Sequence, residues 1–125
     1  LSAVGSVHEV AEPLLDAVTG LSGSGPGYVA LVVEALADGG VKAGLPRNLA
    51  LALAAGTVAG TGELIERGGE HPAIVRDRVA SPGGTTIAGL AVLEARGVRG
   101  ALIDAVAAAA DRARELGKPA EGRTA

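Results

Sequence analysis

Apolar side chains recur along most of this chain at helical spacing, and prolines and glycines cut the pattern into pieces. Leu31, Val32, Ala35 and Leu36 form an i, i+1, i+4, i+5 stripe. It predicts a helix that opens at Pro26, weakens at Gly39-Gly40 and stops at Gly44. Pro46 opens a longer run to Arg67, closed by Gly68-Gly69. From Leu49 to Ala59 that run is apolar on every side, the pattern of a helix at the centre of a core. Pro72 opens a short helix to Val79, which breaks at Ser81-Pro82 because the residue before a proline avoids the helical region. Thr85 is placed to cap a helix over Thr86 to Arg96, and a last helix spans about Arg99 to Leu116 with Leu102, Ile103, Val106 and Ala110 on one side. Pro13 starts a short segment to Val18, ending at Gly20. Only Val4 to Val10 reads as a strand. Without strand–helix–strand alternation the class is all-α, a multi-helix bundle with at most one short N-terminal strand.

Composition adds one consequence. Hydrophobic residues make up 48% of the 125, yet Tyr28 is the sole aromatic and methionine is absent. A core built from Ala, Val, Leu and Ile gains little area per residue, at roughly 25 cal/mol per Å². A lone chain of this size buries only about two-thirds of its unfolded surface. The expected remedy is burial against a second copy of itself, as an oligomer. A formal net charge of -3 gives no reason to expect nucleic acid or an anionic membrane as partner. Cysteine is absent, which fits the cytoplasm, and the only histidines, His8 and His71, lie far apart, so no metal site is expected. The apolar runs Leu49 to Ala59 and Ala105 to Ala110 fall short of the roughly 20 residues that cross a bilayer, and Leu1-Ser2-Ala3 does not read as a signal peptide.

The candidate chemistry lies in two glycine-serine segments at helix starts. Ser81-Pro82-Gly83-Gly84-Thr85-Thr86 opens directly into an apolar helix, aiming backbone N–H groups and two hydroxyls at one spot that suits a carboxylate. One threonine is enough to cap a helix; Thr86 is then free to face whatever the turn holds. Ser22-Gly23-Ser24-Gly25-Pro26 is the second segment. Gly25 to Ala30 matches the G-x-G-x-x-A dinucleotide pattern in letters only, since no strand precedes it. Glu34, Asp38 and Lys42 share one helix face and read as a solvated stripe, as does the patch Arg76, Asp77 and Arg78. His71 before Pro72 reads as a helix-start residue. No nucleophile, base and orienter assemble from these residues.

Three blocks of this sequence carry a resemblance. They are Gly20-Leu21-Ser22-Gly23-Ser24-Gly25-Pro26, Glu34 through Pro46, and Asp77 through Ile87. With Glu94-x-x-Gly97-x-Arg99 and Arg112-x-Arg114-Glu115-Leu116, they make the chain from about Val4 to Leu116 resemble the C-terminal, helical domain of Δ1-pyrroline-5-carboxylate reductases. The resemblance implies a multi-helix bundle that interlocks with a second copy as a homodimer, also found as rings of dimers. It implies reduction of the C=N bond of pyrroline-5-carboxylate to L-proline, with NADPH or NADH held by an N-terminal Rossmann domain. It places the substrate carboxylate on the turn of Ser81, Gly83, Gly84, Thr85 and Thr86, with Thr86 as the catalytic hydroxyl facing the ring nitrogen. Ser22, Ser24 and Gly25 line the substrate pocket. Gly27 stands where the family more often has alanine. Residues 1–12 then read as an edge strand and linker left from the cofactor domain, 13–117 as the helical domain and 118–125 as a flexible tail. On this reading the chain alone binds no cofactor and turns over no substrate. Two other readings stay open: a non-catalytic helical oligomerisation module, and the helical domain of a different β-hydroxyacid or imine dehydrogenase.

Overall fold

A computed structural model describes residues 7–118. The expected strand at Val4 to Val10 lies partly outside them, and Val7 to Ala11 has no regular secondary structure. A 3-10 turn, Glu12–Leu14, leads into α1 (Leu15–Val18), a single turn. Then come α2 (Gly25–Lys42), α3 (Arg47–Gly68), α4 (Pro72–Val79), α5 (Thr85–Ala95) and α6 (Val98–Leu116). The all-α class holds among the described residues. They divide into two compact units, 7–26 with 100–118 and 27–99, each described by itself.

In the first unit the expected stop at Gly20 does not occur. The chain continues through a π-helical turn, Thr19–Gly23, in which the Ser24 N–H donates to the Thr19 carbonyl at 2.9 Å. Two hydroxyls bond back four residues, Thr19 Oγ1 to the Leu15 carbonyl at 2.9 Å and Ser22 Oγ to the Val18 carbonyl at 3.0 Å. Such back-bonding bends and loosens helical geometry, which accommodates the extra residue. Gly20 is buried against α6, where Ala110 is also buried. Arg114 lies 3.9 Å from Asp16, a second link between the same segments.

In the second unit the core is a small-residue contact between α2 and α3. Ala37, Ala50 and Ala54 are buried, with Val33 and Val41 packed against them. The inner face of α2 is therefore Val33, Ala37 and Val41, at i, i+4 and i+8. The stripe expected from the sequence is not that face: Leu31 and Leu36 are exposed. Both faces of α2 are apolar, so periodicity alone cannot select the one that meets α3. Arg47 at the start of α3 bonds Asp38 on α2, spanning the Gly44-Leu45-Pro46 connection.

α3 corrects two expectations. It was expected at the centre of the core, yet Leu49, Leu51, Leu53 and Leu64 remain 42–52% exposed. Ala50 and Ala54 are the buried residues of α3. Its 22 residues also make it long and apolar enough to cross a membrane, by length and composition. The run Leu49 to Ala59 falls short on its own because Gly60, Thr61 and Gly62 end it without adding charge.

Candidate functional site

The α4–α5 connection is built by its own residues. Ala80 closes α4, its N–H donating to the Asp77 carbonyl at 3.2 Å. The Gly84 N–H then donates to the Ser81 carbonyl at 3.0 Å. With Pro82 second and Gly83 third at φ +67°, this has the form of a type II turn. Gly84 answers a different demand: a Cβ there would press on the Ser81 carbonyl oxygen at 3.1 Å and force Ser81 Oγ to rotate away. The two glycines serve two separate demands, one of dihedral angle and one of space.

This geometry alters the expected roles. Gly84, at φ -80° and ψ 176°, is the N-cap of α5 and provides no side-chain cap. Thr85 is therefore the first helical residue and not the cap; Thr86 is the second. The Gly84 amide is committed to the turn and does not face outward. The N–H groups of Thr85, Thr86 and Ile87 precede the first amide bonded to the N-cap, Ala88 to the Gly84 carbonyl at 3.3 Å. They form the electropositive end of the helix. Thr86 is half-buried and Thr85 exposed, and neither hydroxyl has a hydrogen-bond partner among the described residues. The structure therefore brings Ser81, Gly83, Gly84, Thr85 and Thr86 into one turn and helix start.

Ser22, Ser24 and Gly25 belong to the other unit. Ser22 directs its hydroxyl into the helix, Ser24 forms the bend after the π turn, and Gly25 begins α2. The expected open turn is thus a helical irregularity. Gly25 to Ala30 lies inside α2 and follows no strand, so it offers no dinucleotide-binding turn. A Cβ on Gly27 would meet nothing within 4 Å, so alanine fits there.

Charged side chains around α4 and α5 are paired on the surface. Arg76 bonds Asp77 at 3.2 Å, and Arg78 bonds Glu70. Glu94 at the end of α5 bonds Arg99 at the start of α6. The Arg99 hydrogen bond holds the Glu94 carboxyl below its ordinary value; loss of hydration opposes it, and the charges of Arg99 and Arg76 add to the lowering. Arg99 is raised in return by the same bond. A carboxylate lowered in the folded chain stabilises it above the ordinary carboxylate range, and that contribution is lost as pH falls through the lowered value. Urea unfolding of the wild type and Glu94→Gln is expected to differ near about pH 7 and to converge near about pH 3. A difference constant with pH would remove the pair from the account.

A cleft of about 460 Å³ lies beside α4, lined by Thr61, Leu64 and Ile65 of α3, by His71, Val75 and Val79, and by Arg76 and Arg99 at its polar positions. The threonine turn is not part of its lining.

The class defined by this fold is a helical domain of small-residue contacts with a proline-glycine turn leading to two threonines. The family model for pyrroline-5-carboxylate reductase dimerisation matches residues 12–116, and the chain belongs to that family. A pyrroline-5-carboxylate reductase of Synechocystis is 67% identical over 117 residues, covering 94% of this chain and 44% of the relative. The Thermus thermophilus enzyme is 61% identical over 115 residues, 92% of this chain and 43% of the relative. Among solved structures, the reductase of Coxiella burnetii superposes with a TM-score of 0.88 at 37% identity, over 94% of this chain and 44% of that one. The Plasmodium falciparum reductase, solved with NADP bound, gives 0.85 at 37% identity, over 91% and 46%. The chain spans less than half the length of the curated relatives it matches.

Proposed function

We propose that this chain is the substrate-binding and self-associating part of a pyrroline-5-carboxylate reductase. The observation that carries the reading is the start of α5, where the Thr85, Thr86 and Ile87 amides and an unpartnered, half-buried Thr86 hydroxyl follow a turn shaped by Pro82, Gly83 and Gly84. A carboxylate suits those amides, since fixed donors at a helix N-terminus stabilise negative charge without reorganising. Holding the imino acid there orients its C=N bond. The hydroxyl of Thr86 faces the ring nitrogen and hydrogen-bonds it as it gains a proton.

The nicotinamide group, when bound, supplies a hydride to the imine carbon; with the proton on nitrogen the product is L-proline and the oxidised cofactor. That cofactor, NADPH or NADH, is held by a Rossmann domain outside these 125 residues, with residues 1–12 as the link to it and 118–125 as a tail. Residues 1–6 and 119–125 lie outside the described residues. In the other unit, Ser24 and the Gly25 backbone are the groups offered to a ligand, and Ser22 contributes through its backbone. The exposed leucines of α3 are covered by a second copy, as a homodimer or a ring of dimers, and not by lipid. The compartment is the cytoplasm.

Titration of the 125-residue chain with L-proline, followed by calorimetry, tests binding at the start of α5 and the part of the Thr86 hydroxyl in it. Thr86→Ala is expected to weaken binding about tenfold, the typical effect of one hydrogen bond to a charged group, with sedimentation unchanged. Unaltered affinity would refute the assignment.

A further inference from the structure

α4 has only eight residues, Pro72–Val79, and its start depends on one titratable side chain. His71 is the N-cap, in extended backbone at φ -60° and ψ 134°. The Ala73 N–H donates to His71 Nδ1 at 3.2 Å, and the Ile74 N–H donates to the His71 carbonyl at 2.9 Å. Pro72 has no N–H to satisfy, so the His71 ring serves the one remaining first-turn donor that a cap can reach. Other caps are oxygen acceptors that keep their lone pairs at any ordinary pH. An imidazole accepts at Nδ1 only while neutral, with its proton on Nε2; once protonated, both nitrogens are donors.

We infer that His71 is a pH-sensitive cap that holds the start of α4 when neutral and releases it when protonated. Two effects act in the same direction. Protonation turns the acceptor facing Ala73 into a donor, and it sets positive charge at the positive end of a helix. Histidine is the side chain that ordinarily changes charge between about pH 5 and 8.

The charged groups around the ring do not offset this. Glu70 precedes it but is engaged by Arg78. Arg76 and Arg99, which share the cleft with His71, are both cations, paired to Asp77 and Glu94. The α3 residues lining that cleft, Thr61, Leu64 and Ile65, carry no charge. The contribution of the cap is therefore present at higher pH and lost as pH falls.

The effect passes along a short path. Val75 is the one buried side chain of α4, and Val79 leads through Ala80 to the Ser81 turn. An effect on ligand affinity rests on the proposed function; the cap itself does not, because it is read from the α4 backbone.

The test is NMR of the 125-residue chain. At about pH 8 the His71 ring is expected as the Nε2–H tautomer, and lowering the pH to about 5.5 should shift the Ala73 amide proton with the same midpoint as the ring. Protection of the Arg76 to Val79 amides should fall about fivefold over that range, the scale of a lost cap. His71→Asn keeps an acceptor that does not titrate and should leave protection flat; His71→Ala should be low at both values. An Ala73 amide that ignores the ring titration, or a pH response retained in His71→Asn, would overturn the inference.

Discussion

Gly20→Ala is expected to destabilise the chain by about 2 kcal/mol, lowering its melting temperature by about 10 °C. The ordinary expectation has the opposite sign, since alanine is favoured over glycine in a helix by about 1 kcal/mol. Contact geometry decides between them. A Cβ on Gly20 would lie 2.7 Å from the Val106 carbonyl oxygen, 2.8 Å from the Ala110 nitrogen and 3.0 Å from Ala110 Cβ. The first two are backbone atoms of α6, so no side chain can rotate away and a helix must move. Gly27→Ala is the internal control. It sits in α2 with open space around the new methyl, and it should stabilise by about 0.5–1 kcal/mol. The check is thermal and urea unfolding of both variants at matched concentration, because an associating chain melts higher when concentrated. Equal stability for Gly20→Ala and wild type would mean that the π turn relaxes freely and that the α6 contact is not tight.

Much of the fold was legible because prolines and glycines mark helix ends in one dimension. α4 begins at Pro72 and ends at Val79 as expected, and α3 begins one residue after Pro46. Faces were less legible. α2 presents apolar residues on both sides, and the choice of Val33, Ala37 and Val41 depends on Ala50 and Ala54, which are distant in sequence. The π turn was hidden as well, because Gly20 reads as a helix stop unless the close passage of α6 is known. At the α4–α5 connection, Ser81 to Thr86 do form one turn and helix start, but the cap was misassigned. A threonine before an apolar run is a good cap in general, whereas here the turn closed by the Gly84 N–H on the Ser81 carbonyl makes Gly84 the cap and opens the helix one residue earlier. The same bond uses the Gly84 amide and leaves the next three to any anion.

Gly60→Leu is expected to weaken self-association by at least about a hundredfold, or roughly 3 kcal/mol. The argument begins with how little the single chain buries. Among the described residues the buried hydrophobics are Ala37, Ala50, Ala54, Val75 and Ala110, four of them alanine, whereas Leu51, Leu53, Leu64, Val92 and Ile103 are exposed. Such a core cannot offset the entropy of ordering its helices, so the exposed leucines must find cover. On α3, Gly56 and Gly60 are one turn apart and have no atom within 4 Å of a built Cβ. Within the chain they therefore need not be glycine. Their absent side chains are explained by close approach of another helix, and a leucine at either place would hold that helix off. Sedimentation at tens of micromolar should show a dimer or larger for the wild type and a lighter species for Gly60→Leu, with helical circular dichroism confirming that the variant folds. An unchanged mass would remove α3 from the interface. Co-flotation of the wild type with neutral lipid vesicles would assign the apolar face of α3 to a membrane in place of a second copy.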